Sequence, residues 1–392
     1  MLSSTFGSFI VAVLSASLAA GAAVPSKVGT VEFKQTTNKR FTGRNGPLAL
    51  ARAYEKYGQP VSPELKAAAE KAAANGAKKR ATGTAVANSD QGDLEYLVQV
   101  SIGTPAQNLN LDFDTGSSDL WVFSSETPNP GNHNLYQPGQ SSTSQLANGE
   151  TWSITYADQS SSSGDVYFDT VTVGGLTVTN QAVESAQQVS SQFANGDSDG
   201  LLGLAFSSLN TVSPDKQKTW FDNVTPQLDS PLFTADLKHN APGSYVFGGI
   251  PGGASNINYT PVDNSQGFWG FSTSISGTSI NGIADTGTTL LLLDDSLVNA
   301  YYQQVSGAQN DSSQGGWVFP CSANLPNLSF TVGSGQITIP GNLLNYAAQG
   351  NSCFGGIQSS GGIGLSIFGD IALKAAYVVF DAGQMQLGWA QK

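Results

Sequence analysis

Histidine, cysteine and methionine are scarce in this chain, two of each in 392 residues, and charged side chains make up only 12% of it. Two histidines, His133 and His239, leave little for a histidine-rich metal centre, and no P-loop, dinucleotide fingerprint or metal-ligand cluster appears. No metal and no cofactor is expected. Cys321 and Cys353, an even pair in a chain with an export leader, read as one disulfide. A free-thiol pair or a metal site is the weaker reading, because both histidines lie far from both cysteines in sequence. Long apolar runs are also missing, apart from "FIVAVLSASLAA" within residues 1–20. Followed by small residues and too short for a membrane span, it reads as a secretory signal peptide cut near Ala20 or Ala22, although no Lys or Arg precedes it. The protein is expected to be secreted, with no membrane partner, and to work outside the cell or in a vacuole-like compartment.

Acidic and basic residues are unevenly placed. Residues 21–80 carry twelve Lys/Arg against four Glu, a net +8, whereas residues 81–392 carry five Lys/Arg against twenty-five Asp/Glu, a net −20. Such a body lacks the positive footprint that nucleic acids require. The basic segment contains "GPLALARAYEKYG" and "SPELKAAAEKAAANGAKKR", both read as helices, the second with Ser62 as N-cap and Pro63 in first position. It ends in the tribasic "KKR" at 78–80, where composition switches abruptly. That junction reads as a processing site rather than a solvated charge run, which makes 21–80 a pro-segment and starts the mature chain near Ala81.

What is abundant is glycine, 45 residues, in a background of Ser, Thr and Val. From residue 94 the pattern alternates, as in "LEYLVQVSIG" and "LNLDF", and "VYFDTVTVGGLTVTNQAVE" predicts a hairpin about its Gly-Gly pair. Helices are expected only near 216–224 and 294–305. The body is therefore read as all-β. It also repeats itself. "LDFDTGSSDLWVF" at 111–123 returns as "GIADTGTTLLLLD" at 282–294, with Asp114 and Asp285 171 residues apart. Gly203 in "DGLLGLAF" follows Asp114 by 89 residues, and Gly369 in "SIFGDIAL" follows Asp285 by 84. Two motifs in one order at similar spacing predict two related lobes, 81–255 and 256–392.

Few side chains remain for chemistry. "GDSDG" at 196–200 matches the serine-hydrolase elbow, but the alternation of strands and helices that elbow needs is missing, and its base would have to be His133 or His239. Neither cysteine has a convincing base. The two DTG aspartates are left. One DTG could be no more than a tight turn between strands; two in matched surroundings suggest a pseudo-twofold axis that brings Asp114 and Asp285 together. Carboxyls in contact share a proton and split their titration. The ionised member can then take a proton from water while the protonated one polarises a carbonyl. Gly116 and Gly287 permit tight loops, Ser117 and Thr288 can hold the carboxylates, and Thr115 and Thr286 can tie the loops together.

These residues carry a family resemblance. "FDTGSSDLWV" and "ADTGTTLLLL" resemble the two active-site loops of pepsin-like aspartic endopeptidases, and 81–392 as a whole is similar to their secreted fungal branch, of penicillopepsin and aspergillopepsin type. The resemblance implies a bilobal pepsin-like fold with a cleft between lobes, Asp114 and Asp285 as the dyad, and acid cleavage of proteins and peptides beside large apolar residues. It makes 152–166 a flap, with Tyr156 hydrogen-bonded to Trp121. Where fungal relatives read Tyr-Gly-Asp-Gly, this chain reads Tyr156-Ala157-Asp158-Gln159; Ala157 keeps its N–H for a substrate backbone, and Asp158 implies acceptance of Lys before the scissile bond. Phe193 is either a wall of that pocket or a core aromatic.

The resemblance also gives the basic segment a task beyond folding and secretion. Lys56 and Tyr57 stand where related zymogens insert a Lys-Tyr pair at the dyad, so the segment is expected to act as an intramolecular inhibitor that is clamped at neutral pH and released in acid. A monomer is expected. Asn223, Asn258, Asn310 and Asn327 lie in glycosylation sequons, the first followed closely by Pro226. The disulfide would be worth about 2–4 kcal/mol. The rival from another class is a pepsin-like fold without activity that serves as a binder.

Overall fold

The computed structural model describes residues 30–35, 44–80, 96–155, 161–189, 194, 196, 198–252, 254–349 and 351–392. The architecture is all-β, in two halves. The first half is built on a seven-stranded sheet with spatial order 97–102, 107–114, 200–203, 120–123, 176–188, 161–173 and 145–155. The second is built on a seven-stranded sheet with order 335–339, 328–332, 270–275, 278–284, 366–368, 291–293 and 357–359. Period-two patterning explains the strands. In Gln107–Asp114, Leu109, Leu111 and Phe113 are buried, while Asn108, Asn110 and Asp112 face outward or stay half-buried. The predicted hairpin joins Ser161–Val173 to Leu176–Gln188, and both turn glycines, Gly174 and Gly175, take the left-handed backbone that such a two-residue turn demands.

The two sheets share a core topology. Gln107–Asp114 runs parallel to Gly200–Gly203, which pairs antiparallel with Leu120–Phe123, which runs parallel to Leu176–Gln188. Thr278–Ala284, Ser366–Phe368, Leu291–Leu293 and Ile357–Ser359 repeat the same relations in the same order. Asp114 ends the first strand of one quartet, and Asp285 follows the first strand of the other.

A six-stranded sheet, in order 31–34, 241–247, 232–238, 376–381, 386–391 and 258–261, joins the halves. Phe233 stacks on Phe380 across it at 4.7 Å, and Trp269 packs edge-on against both. Residues 232–247 therefore pair with the C-terminal strands rather than with the first seven-stranded sheet, so a shared layer underlies the two-part division expected at 255/256. A four-stranded sheet of residues 309–311, 316–320, 352–355 and 345–349 carries the Cys321–Cys353 disulfide, Cα–Cα 4.9 Å.

Asp295–Tyr302 lies inside the expected 294–305. The stretch expected at 216–224 is helical only over Trp220–Val224. The Thr219 side chain accepts from Asp222 N at 3.1 Å and starts the helix there, and Gln217 N is engaged by Asn210 Oδ1 at 2.7 Å instead. In the basic segment Gly46–Lys56 is capped by Asn45, which accepts from Leu48 N at 3.0 Å, and Ser62 accepts from Leu65 N at 3.1 Å before Pro63–Arg80. Ala49, Leu50, Ala53, Leu65 and Ala68 are buried. Gly58, at φ +69°, turns the chain just after Tyr57 and leaves Lys56 and Tyr57 at the helix end.

Candidate active site

The two DTG loops meet where the quartets face each other. Thr115 N donates to Thr286 Oγ1 at 3.0 Å, and Thr286 N donates to Thr115 Oγ1 at 2.9 Å. Thr115 Oγ1 donates across to Ala284 O at 2.8 Å, and Thr286 Oγ1 to Phe113 O at 2.5 Å. Each threonine thus holds the strand end of the opposite half, and all four bonds are buried. Tyr245 Oη, from the shared sheet, also reaches Phe113 O, at 3.3 Å.

This cross-bracing sets the carboxyls. Gly116 N donates to Asp114 Oδ1 at 2.8 Å and Gly287 N to Asp285 Oδ1 at 3.0 Å. Ser117 Oγ donates to Asp114 Oδ2 at 2.6 Å, and Thr288 Oγ1 donates to Asp285 Oδ2. Only glycine allows this approach. A Cβ on Gly116 would stand 2.5 Å from Asp285 Oδ1, and one on Gly287 would stand 2.3 Å from Asp114 Oδ1. Asp114 and Asp285 are 1% and 0% exposed, so two acids face each other in a site shielded from bulk water.

A cation neutralises them. Lys56 Nζ donates to Asp114 Oδ1 at 2.7 Å and to both Asp285 oxygens at 2.9 Å, and Tyr57 Oη donates to Asp285 Oδ2 at 2.5 Å. The two acids respond differently. Burial, only partly offset by the Lys56 charge, pushes Asp114 up to about 6. Burial would raise Asp285 too, but the Lys56 charge and hydrogen bonds from Asp114, Thr288 and Tyr57 hold it down to about 2. Burial alone would depress Lys56; the two carboxylates reverse that and raise it above its ordinary value. Tyr54 Oη, two residues before Lys56, anchors the helix to Ser359 O at 3.1 Å, and the Arg44 guanidinium donates to Tyr346 O at 3.1 Å. No sequence signal marks these two anchors.

A family model for eukaryotic aspartyl protease matches residues 95–392. The chain belongs to the eukaryotic aspartyl protease family. It is an aspartic endopeptidase, and its substrates are peptides and proteins. It is 54% identical to endothiapepsin of Cryphonectria parasitica over 382 residues, 93% of this chain and 91% of that one. It is 51% identical to aspergillopepsin-1 of Aspergillus oryzae over 396 residues, 97% and 98% of the two chains. It is 53% identical to penicillopepsin-2 of Penicillium janthinellum over 375 residues, 92% and 91% of the two chains. Among solved structures it resembles an aspartic proteinase from Irpex lacteus, with TM-score 0.65 and 29% identity, covering 76% of this chain and 94% of that one.

The remaining expected residues fall out variously in this aspartic protease. Trp121 is buried and stacks on Trp152 at 6.1 Å, a partner that sequence reading passed over although it lies four residues before Tyr156. Tyr156, Ala157, Asp158 and Phe193 lie outside the described residues. Asn310 and Asn327 are exposed, whereas Asn223 and Asn258 are half-buried and Asn223 Nδ2 donates to Gln181 Oε1 at 2.8 Å. The serine-hydrolase alternative finds no support in the geometry. Ser198 Oγ donates to Gly200 O in its own loop, His133 stacks on Phe123 with Nε2 3.3 Å from Ala194 O, and exposed His239 contacts Asn240. Among the described residues no helix is long and apolar enough to cross a membrane.

Proposed function

We propose that Asp114 and Asp285 are the catalytic dyad of a secreted acid endopeptidase, and that the chain described here is its zymogen. The observation that carries this reading is the single Lys56 ammonium bonded to both carboxylates at 2.7 and 2.9 Å, in the place a hydrolytic water and a scissile carbonyl would need. With residues 21–80 removed, the paired acids would share a proton. The ionised member would take a proton from water as it attacks and later deliver that proton to the leaving amine, while the protonated one would donate to the carbonyl oxygen and take a proton back from the tetrahedral diol as it collapses. No covalent intermediate is needed. The reading includes cleavage beside large apolar residues, with Asp158 admitting Lys before the scissile bond, a monomeric enzyme of two lobes, export directed by residues 1–20, and release of the basic segment near "KKR" in acid.

The test is hydrolysis of a denatured protein at pH 3–4 by acid-treated protein. Asp114→Asn and Asp285→Asn should each lower kcat by at least roughly 10²–10⁴-fold while the chain stays folded. Retention of activity by either variant would remove the dyad from the mechanism. Unchanged activity of both, combined with sensitivity to a serine-directed reagent, would bring back the GDSDG alternative. No hydrolysis by the parent under any acid condition would favour the inactive binder.

A further inference from the structure

A second pair of carboxyls is buried away from the dyad. Asp119 and Glu184 are 2% and 0% exposed. Asp119 follows the first DTG loop, and Glu184 sits on Leu176–Gln188, where it faces Trp121 in the parallel pairing. One side-chain amide reaches both: Asn210 Nδ2 donates to Asp119 Oδ1 at 2.8 Å and to Glu184 Oε1 at 3.0 Å. Thr211 N adds a bond to Asp119 Oδ1 at 2.7 Å. Glu184 Oε2 is left buried with no protein donor among the described residues. Both carboxyls accept from the one Asn210 amide nitrogen and so stand side by side out of water, where two negative charges would repel. The charged group that faces the pair from the packed loop 210–219 is Lys216; its ammonium donates to Asn210 O at 2.7 Å, and the residue itself is exposed.

We propose that Asp119 and Glu184 hold one shared proton in the native state, and that its loss as pH rises unlatches the strands behind the first DTG loop, setting a neutral-side limit on the stability of this protein. The latch acts at a specific place. Asp119 O accepts from Gly203 N at 2.8 Å, and Asn210 Nδ2 also reaches Ser118 O at 3.3 Å, so the pair ties the exit of the loop to the strand that carries Glu184. Burial raises Asp119 to about 6, and burial together with the Asp119 charge raises Glu184 well above its ordinary value. Both shifts have the same sign. Their stabilisation is complete below the ordinary carboxylate value near 4 and is lost as pH rises through the native values, because the native state keeps a proton that the unfolded chain has released.

The experiment uses the full chain carrying Asp114→Asn, so that self-cleavage cannot intervene, and reads urea unfolding by tryptophan fluorescence from pH 4.5 to 7.5. Each retained proton should raise the unfolding constant about tenfold per pH unit. Adding Glu184→Gln, which keeps an amide in the hydrogen-bonding position but cannot ionise, should make the rise across this interval at least tenfold smaller. Parallel profiles for parent and variant overturn the proposal. If Glu184→Gln does not fold at pH 4.5, Asp119→Asn takes its place with the same expectation. Failure of both to fold at pH 4.5, where the proposal makes their charge dispensable, overturns it as well. The readout is unfolding rather than turnover, so either outcome leaves the reading of the dyad untouched.

Discussion

The two halves of this aspartic protease place the same four strands around an Asp-Thr-Gly loop and fill the space behind that loop differently. Five residues after Asp114 stands Asp119; five after Asp285 stands Leu290, fully buried. Glu184 faces Trp121, and in the second half Gln358 faces Leu292, with its amide satisfied by Trp317 N, Trp317 O and Gly355 O. One half backs its loop with a titratable pair and the other with an aliphatic chain and a neutral amide. A fold can hold two carboxyls in register by repeating its backbone while leaving each half free to choose how it responds to pH. The dyad itself is unequal in the same sense, since Lys56 gives one oxygen contact to Asp114 and two to Asp285, and Tyr57 bonds Asp285 alone.

The largest expected effect comes from removing the cation that spans the halves. Lys56→Met would leave the buried acid pair without its counter-charge, a cost of roughly 3–5 kcal/mol to the docked pro-segment, so latency at pH 5 should fall by more than tenfold. The pH dependence sharpens the comparison. Asp285, held down to about 2, favours the docked form above its ordinary value near 4 and loses that contribution as pH falls through about 2. Asp114 is raised to about 6 by burial, and its contribution to folding has the opposite sense, complete below about 4 and fading as pH rises through 6. The Lys56 charge opposes that rise, so protonation of Asp114 between pH 7 and 4 weakens its bond to Lys56, and other body carboxylates opposite the basic segment add to the release. Activation rates of parent and Lys56→Met should converge as pH approaches 2, and a ratio independent of pH would show that Lys56 does not act through Asp285.

Next in size are the cross-braces. Thr115→Val and Thr286→Val keep the shape but leave a buried backbone N–H of the opposite loop without an acceptor. Each should cost about 1–3 kcal/mol in urea unfolding. Because the bonds are reciprocal, the two costs should agree within about 0.5 kcal/mol. A clear inequality would mean that one half bears the interface and that the twofold relation is only topological.

What could be read from the chain beforehand follows from the range of each signal. Alternation in Gln107–Asp114 and the Gly174-Gly175 turn are local, and they announced a β protein. The DTG loops were legible because the motif occurs twice with a second motif at matching distance. Asp119 and Glu184 were not, because nothing local marks a carboxyl as buried. Glu184 becomes a partner of Asp119 only through the Trp121–Glu184 register, and Asn210 joins them from 91 residues beyond Asp119. The shared sheet was hidden for the same reason: 232–238 reads as an ordinary strand until Phe233 is set against Phe380.

The smallest expected difference lies in the hydroxyls. Ser117 and Thr288 donate to Oδ2 of Asp114 and of Asp285, but Ser117 is half-buried whereas Thr288 is 3% exposed. Both residue types can make the bond, so Ser117→Thr and Thr288→Ser should keep kcat within about threefold. Only the methyl distinguishes them. Thr288→Ser removes a buried methyl and should cost about 1 kcal/mol of stability, whereas Ser117→Thr adds one at a partly open position and should change stability by less than about 0.5 kcal/mol. Urea unfolding of both variants at pH 4.5 checks the order. The reverse order would place the tighter packing around Ser117, and the second loop would then owe its rigidity to the buried leucines 290–293 rather than to the methyl of Thr288.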